Sequence, residues 1–203
     1  MSLQSEIDRY TQRLARMAPA GFFFALHIRL ALPLVSMATY PEAWTDRYSE
    51  EGFALRDPVI AWGFSTTGAG RWSQINLPDP YDILGQARAY GLVHGIAVSV
   101  GPIKSRTIAA AARDDREFTD KEIADFAAVI AKLHDVTEPP TSLTPAQIEA
   151  LRLIARGDRY AAAAAKLGIS ESAFKARLAS ARATLLARTT TEAIQRARDY
   201  RLI

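Results

Sequence analysis

Residues 40–72 place several aromatic side chains around one acid, and this set has the clearest potential for binding chemistry. Trp and Tyr each offer a flat apolar face and one polar hydrogen, whereas a carboxylate accepts hydrogen bonds. Aromatic walls with a few polar groups are typical of cavities that enclose small amphiphiles. The candidate binding residues on this argument are Tyr40, Trp44, Tyr48, Asp57 and Trp72.

A structural interpretation of the same residues stays open. Trp44 and Tyr48 are four positions apart and so share one helix face, which is enough for a place in the core. Asp57 stands directly before Pro58, the usual order of a helix N-cap and a first helical residue. If Asp57 is buried, its carboxylate needs a hydrogen-bond donor from a ligand or from the protein.

Polar and basic side chains near the C-terminus form a second candidate site. Gly168 predicts a sharp turn between two helices, and Ser170 predicts the N-cap of the second helix. In a helix-turn-helix that second helix lies in the major groove and presents polar or basic side chains to DNA. The candidate DNA-binding residues are Arg159, Ser170, Ser172, Lys175, Arg177 and Arg182. The alternative is a solvated basic face on a small helical bundle.

The distribution of charge divides the chain in the same way. The net charge is +3 over 203 residues, but residues 143–203 carry eleven Lys and Arg against five Asp and Glu. The preceding residues carry fourteen basic against seventeen acidic side chains. A basic tail behind a mildly acidic front indicates an anion-binding region joined to a regulatory one.

The elements that must position these residues change in type along the chain. Residues 1–135 mix helical and strand patterns, including a strand predicted at residues 71–75, and indicate an α+β domain: an α-β-α sandwich with a central antiparallel sheet. Two adjacent prolines at positions 139 and 140 stop any helix, so residues 136–142 are predicted as a linker. Residues 143–203 predict an all-α four-helix helix-turn-helix domain.

Two capping boxes mark helix starts in this scheme. Thr119 is followed three residues later by Glu122, and Thr144 in the same way by Gln147. In such a box each side chain satisfies a backbone N–H at the other end of the first turn. The boxes therefore predict one helix close to the end of the first domain and another at the start of the second.

Several classes of function find no support in the sequence. Cysteine is absent, which excludes disulfides and thiolate metal sites and fits a reducing cytoplasm. His27, His94 and His134 show no metal-ligand spacing and are interpreted as structural, so no metal site is expected. The most apolar stretch, residues 21–37, is interrupted by His27, Arg29 and Pro33, so no membrane span is expected. No paired nucleophile and base stand out, and an enzyme is not expected.

The C-terminal residues resemble the LuxR-type helix-turn-helix. The matching positions are Leu143, Leu151, Gly157, Leu167, Gly168, Ile169, Ser170 and Lys175. The chain departs from that pattern at Gln147 and Ala162, where the family usually has Glu, and at Asp158, where a basic residue is common. The resemblance implies a homodimer that binds a palindromic promoter site in DNA.

The N-terminal residues are similar to the autoinducer-binding domain of LuxR-type quorum-sensing regulators. The similarity rests on the spacing of Trp44, Tyr48, Asp57 and Trp72, together with Gly95. It implies an N-acyl-homoserine lactone as the ligand and no cofactor. Trp72 and Gly95 are expected to shape the cavity.

The same resemblance implies individual roles for the other residues of the set. Trp44 would donate to the lactone carbonyl, and Asp57 would accept from the ligand amide. Tyr40 would reach the acyl carbonyl, and Tyr48 would line the acyl chain. None of these roles follows from spacing alone.

The main hypothesis is a cytoplasmic, ligand-responsive transcriptional regulator of quorum sensing. It would bind an acyl-homoserine lactone and palindromic DNA as a dimer. One alternative is a ligand-independent or antagonist homologue that acts by heterodimerising with another regulator, an idea favoured by Gln147, Ala162 and Asp158. A second alternative is an enzyme that modifies a small molecule.

Overall fold

The computed structural model describes residues 3–28, 32–138, 143–200 and 202–203. Contacts divide the chain into two compact units, Met1–Glu138 and Pro139–Ile203. The linker predicted at residues 136–142 starts too early, because Val136 still belongs to the last helix of the first unit. Residues 139–142 lie outside the described part of the chain.

The first unit mixes helices and strands. Its described helices are α1 (Leu3–Met17), α2 (Glu42–Glu50), α3 (Pro58–Ser65), α4 (Ile83–Arg88) and α5 (Asp120–Val136). Its described strands are β1 (Phe22–Ile28), β2 (Val35–Ala38), β3 (Gly68–Arg71), β4 (His94–Val100) and β5 (Arg106–Arg113). Short 3-10 helices occupy Phe53–Leu55, Trp72–Gln74 and Ile103–Ser105.

Within the described residues the strands form one antiparallel sheet in the order β2-β1-β5-β4-β3. The central strand β5 is buried along its whole length, and its side chains alternate between the two faces. Ala109 and Ala111 join the core formed with α1 and α5, where Phe126 is fully buried. Ala110 and Ala112 join the clusters formed with α2, α3 and α4. The first unit is therefore an α-β-α sandwich, as the sequence pattern predicts.

The strand predicted at residues 71–75 is wrong. Strand β3 lies earlier, at the sheet edge, where Gly68 pairs with Ser99 of β4 and Arg71 with Ile96. From Trp72 onward the chain turns into a 3-10 helix and leaves the sheet. The pattern misled because aromatic and β-branched residues favour strands in general. Here the Trp72 indole instead packs on the backbone of β4.

The second unit contains only helices among its described residues. They are α6 (Pro145–Ala155), α7 (Tyr160–Lys166), α8 (Glu171–Thr184) and α9 (Thr190–Asp199). The predicted caps are confirmed, since Thr144 accepts from the N–H of Gln147 and Ser170 from that of Ala173, each at 3.2 Å. Gly168 lies in the turn between α7 and α8 with a φ of 63°, a left-handed conformation that favours glycine.

The core of this unit explains one departure from the family pattern. Gln147 is buried, and its side-chain amide donates to Ser180 at 3.0 Å and to Thr184 at 3.2 Å. Its carbonyl oxygen meanwhile accepts from the N–H of Thr144 at 2.9 Å. Gln147 therefore closes its capping box and also ties α6 to α8.

Candidate functional site

A cavity of about 250 Å³ lies between the sheet and the layer of α2, α3 and α4. We call it the Asp57 cavity. Its walls are mostly apolar, with polar groups from a few side chains. The residues that line it are Phe23, Ala38, Tyr40, Trp44, Thr45, Tyr48, Ser49, Ala54, Asp57, Val59, Ile60, Trp72, Ile83, Leu84, Ala87 and Ala110. Five of the six residues proposed from the sequence are among them.

Asp57 is both a helix cap and a wall of this cavity. One carboxylate oxygen accepts from the N–H of Val59 at 2.7 Å, as an N-cap of α3 does, and the other accepts from the Tyr48 hydroxyl at 2.7 Å. The backbone N–H of Ile60 also interacts with this carboxylate, which has about four acceptor positions, so capacity for a further donor remains. Burial raises the pKa of Asp57, and the bonds from Tyr48, Val59 and Ile60 only partly oppose it.

Tyr40 brings a polar group with no protein partner to the same cavity. Its hydroxyl is buried and makes no hydrogen bond with the described residues. Burial, reinforced by the nearby charge of Asp57, raises the pKa of Tyr40, so the hydroxyl stays protonated. A buried hydroxyl left unpaired costs about 1–3 kcal/mol, which a hydrogen-bond acceptor on a ligand would recover.

Trp44 anchors the aromatic wall. Its indole is 4% exposed and lies edge-on to Tyr48, with ring centroids 5.7 Å apart. Phe53 and Tyr90 pack against it with centroids 6.1 and 5.4 Å away. Trp44 therefore belongs to a core cluster and to a cavity wall at once, so neither sequence interpretation excluded the other.

Trp72 separates the Asp57 cavity from a second one. Its indole covers Gly95, where even a Cβ atom would collide with the ring. The indole Nε1 is buried without a hydrogen-bond partner among the described residues. The second cavity, of about 290 Å³, is called the Glu117 cavity and is lined by Trp72, Ser73, Leu84, Arg88, Val93, His94, Gly95 and Glu117. Gly95 thus shapes the site through Trp72 but does not line the Asp57 cavity.

Sequence reasoning missed most of the apolar wall. Thr45 and Ser49 follow Trp44 and Tyr48 by one position, so the helical period of α2 was a usable signal for them. Phe23 and Ala110 come from β1 and β5, far away in the sequence. Only the strand register brings them to this cavity, and no local pattern encodes that register.

Comparison with known proteins identifies the first unit. Residues 7–135 match the family described as the autoinducer binding domain. The chain belongs to the LuxR-type quorum-sensing regulators. Such proteins are regulators and receptors rather than enzymes, and the domain is one that takes a small-molecule signal.

Individual relatives agree with this assignment. The quorum-sensing regulator RhlR of Pseudomonas aeruginosa is 26% identical over 172 residues, which are 75% of this chain and 71% of that protein. The transcriptional activator protein RaiR of Rhizobium etli is 27% identical over 175 residues, 77% of this chain and 72% of that protein. The structure of SdiA in complex with octanoyl-rac-glycerol matches 98% of this chain and 89% of its own, with a TM-score of 0.54 and 18% identity. This last similarity shows a shared fold.

In the second unit of this LuxR-type regulator, the six predicted DNA-binding residues differ in their exposure to solvent. Arg159, Ser170, Ser172 and Lys175 are exposed, and Arg177 is partly buried. Lys175 pairs with Glu171 at 2.7 Å, one turn earlier on α8. Arg182 is also partly buried, with its guanidinium donating to the carbonyl of Arg188 at 3.4 Å. The open part of this surface is therefore the first turn and a half of α8.

The histidines occupy structural positions in the first unit. His27 is 1% exposed, stacks on His134 with ring centroids 4.2 Å apart, and bonds to the Ser105 hydroxyl at 2.9 Å. His94 lies 3.7 Å from Glu117. Within the described residues, His, Asp and Glu form no group of three or more that would hold a metal ion. No described helix is both long and apolar enough to cross a membrane.

Proposed function

We propose that this protein is a ligand-responsive transcriptional regulator of quorum sensing that acts in the cytoplasm. It binds an N-acyl-homoserine lactone in the Asp57 cavity and a palindromic promoter site with α8, as a homodimer. The observation that carries the ligand half is that one cavity holds both a buried Tyr40 hydroxyl without a hydrogen-bond partner among the described residues and the part-buried Asp57 carboxylate.

These two groups suit a secondary amide. Tyr40 supplies a donor for the acyl carbonyl, and Asp57 supplies an acceptor for the amide N–H. Trp44 supplies an indole N–H for the lactone carbonyl. A ligand that kept the acyl carbonyl but lacked the amide N–H would give Tyr40 its acceptor and leave Asp57 without a ligand donor, and unpaired buried polar groups give strong discrimination.

The rest of the cavity suits a short acyl chain. Its walls include Phe23, Ile60 and Ala110, all apolar. Its volume of about 250 Å³ lies just below the usual range of small-molecule sites, which run from about 300 to 1,000 Å³. The octanoyl-rac-glycerol in the SdiA structure is itself a small molecule with one acyl chain, which supports an acylated ligand here.

Trp44→Phe tests the ligand assignment. The change removes the indole N–H and keeps an aromatic ring, so we expect the Kd for the lactone to rise about tenfold. The measurement is thermal unfolding with a panel of N-acyl-homoserine lactones from butanoyl to dodecanoyl. The wild type should gain about 5–10 °C at a hundredfold excess of ligand over Kd.

Trp62→Phe is the matched control, because Trp62 is a residue of α3 that packs against Val59, Ala97 and Ala110 and does not line the Asp57 cavity. It should keep the wild-type response to lactone. A wild type that ignores every member of the panel contradicts the ligand assignment and favours the ligand-independent homologue.

The DNA half of the proposal is supported by the second unit. A helix of seven residues, a turn at Gly168 and a Ser-capped helix follow one another, and the exposed start of α8 carries Ser172 and Lys175. Polar and basic groups at the start of the second helix suit phosphate and base contacts in a major groove. Two such helices, related by two-fold symmetry, would match a palindromic site.

Lys175→Gln tests this surface. Removing one cation that contacts phosphate releases one fewer counterion, so the plot of log affinity against log salt should be less steep by about one. Affinity itself should fall about tenfold if Lys175 also reaches a base edge. Fluorescence anisotropy with a labelled palindromic duplex, at several salt concentrations, measures both quantities.

Lys132→Gln removes the same charge from an exposed position on α5 and serves as the control. It should leave both affinity and salt slope unchanged. If the two variants behave alike, α8 is not the DNA-reading helix. Absence of specific binding by the wild type, with or without lactone, would favour a partner that works by heterodimerisation.

A further inference from the structure

The side chain of His27 connects β1 to the last turn of α5. His27 is 1% exposed, and its ring stacks on that of His134 with centroids 4.2 Å apart. Its Nε2 lies 3.0 Å from the backbone carbonyl oxygen of His134 and 3.2 Å from the hydroxyl oxygen of Thr137. Because the Thr137 hydroxyl donates to the Leu133 carbonyl at 2.6 Å, both oxygens accept from His27, and its Nε2 carries the hydrogen.

The backbone of β1 is irregular at this residue. His27 has a φ of 50°, a left-handed conformation that is unfavourable for most residues other than glycine. The pairing of β1 with β5 shifts register between Ala25 and Ile28, and the N–H of His27 donates to the Thr107 hydroxyl at 3.1 Å. Such a conformation persists only where the surrounding contacts fix it. The contacts of the His27 ring with the end of α5 are among those that do so.

The Thr107 hydroxyl makes this arrangement sensitive to a proton on His134. Thr107 is fully buried, and its oxygen, which accepts from the N–H of His27, lies 2.8 Å from Nδ1 of His134. When Nδ1 carries no proton, the hydroxyl donates to it and the chain of bonds is complete. A proton on Nδ1 makes that atom a donor, so the hydroxyl hydrogen loses its acceptor in a buried place.

The surroundings offer little to offset a positive charge on this ring. Burial lowers the pKa of His134, and the charges that oppose burial among the described residues are those of Asp135 and Glu138, both exposed. Stability is therefore lost as pH falls below 6.5, the ordinary pKa of the group. Strands β1, β4 and β5 and residues 101–105 contain no carboxylate, and their charged or titratable residues are His27, His94, Lys104, Arg106 and Arg113.

We propose that the His27–His134 pair is a pH-sensitive switch that holds the end of α5 against the sheet at neutral pH and releases it in acid. Protonation of His134 removes the bond from Thr107 and places a charge against the stacked ring, so residues 134–138 leave the sheet. Residue 138 is the last of the first unit, and release therefore lengthens the chain segment between the two units.

Hydrogen exchange of the full-length protein at pH 7.5 and pH 5.5 tests this switch, and it needs neither lactone nor DNA. The amides of residues 134–138 include that of Thr137, which donates to the Leu133 carbonyl at 3.2 Å. Relative to the intrinsic rate at each pH, we expect them to exchange about tenfold faster in acid. This is the shift that a histidine gives when it titrates at its ordinary pKa only in the released state. The amides of β5 should keep their protection.

His134→Asn removes the titrating ring and keeps an oxygen that accepts from Thr107, so it should abolish the acid response. His94→Asn changes the third histidine of the chain and should leave the response as in the wild type. Asp57 does not account for the response, because its raised pKa means that protonation favours the folded state.

Nuclear magnetic resonance of the histidine ring protons decides the case in which His134→Asn loosens the turn at both pH values. The shifts of His134 in the wild type should then change over the same pH interval as the exchange rates. The proposal is overturned if residues 134–138 keep full protection at pH 5.5, if His134→Asn retains the wild-type acid response, or if exchange rises while the His134 ring does not titrate.

Discussion

Asp57→Asn should lower the affinity for acyl-homoserine lactone by about 10- to 100-fold, the cost of losing one charge-assisted hydrogen bond. The protein contacts survive the change. An Asn side chain still accepts from the N–H of Val59 as a helix cap, and Tyr48 accepts from the new amide instead of donating to it. What is lost is the acceptor for the ligand, because the new NH₂ group faces the ligand N–H.

The same variant should be at least as stable as the wild type without ligand. Burial raises the pKa of Asp57, which means that the ionised carboxylate costs the folded state free energy at pH values above that pKa. The cost disappears as pH falls through the raised pKa, so the stability advantage of Asp57→Asn should shrink on acidification. Lactone binding by the wild type should weaken over the same interval, because the protonated carboxyl is a poorer acceptor.

Calorimetric titration with lactone and thermal unfolding across acidic pH measure these effects. Asp46→Asn removes the same charge from an exposed position on α2 and should change neither property. Retention of wild-type lactone affinity by Asp57→Asn would show that the carboxylate is not the amide acceptor. A lower unfolding temperature would show instead that the cap needs a carboxylate.

Phe174→Ala should unfold the second unit and abolish DNA binding. Phe174 is fully buried in the cluster with Leu151, Leu178 and Leu185. Truncating a buried Phe costs about 3–5 kcal/mol. A core in a unit of this size rarely supplies more than about 3–5 kcal/mol, so the loss consumes nearly all of it.

The first unit should remain folded in Phe174→Ala and keep its lactone response, since it has a separate core. Circular dichroism in urea follows the loss of helix, and the thermal response to lactone reports on the first unit. Phe64→Ala, the same truncation at a more exposed position on α3, leaves the second unit intact. Loss of both responses in Phe174→Ala would mean that the two units do not fold independently.

Helix caps and the residues that share a helix face were predictable from the sequence, because both depend on residues a few positions away in the chain. The cap at Asp57 and the boxes at Thr119 and Thr144 depend on residues two or three positions away, and all three formed. The aromatic wall followed from the helical spacing of Trp44 and Tyr48. Such features need no knowledge of the tertiary fold.

Features set by contacts between distant segments were not predictable. The chain leaves the sheet at Trp72 because its indole covers Gly95, twenty-three positions later. The Tyr48 hydroxyl meets Asp57 only once α2 and α3 have packed. The Glu117 cavity combines α4, β4 and the segment before α5. These outcomes depend on how layers stack, and an amphipathic pattern specifies a face but not its partner.

The alanines of β5 shape the apolar wall of the Asp57 cavity, and the polar residues of the site lie elsewhere in the chain. Both faces of this strand carry methyl groups. The wall of the Asp57 cavity at Ala110 therefore takes up less space than any larger side chain would. In the proposed complex, the polar groups that recognise the head group lie outside β5, at Tyr40, Trp44 and Asp57. One added methylene at Ala110 would then shorten the tail that fits without changing those polar contacts. On this proposal, single substitutions on β5 can change the preferred tail length while the class of ligand stays the same.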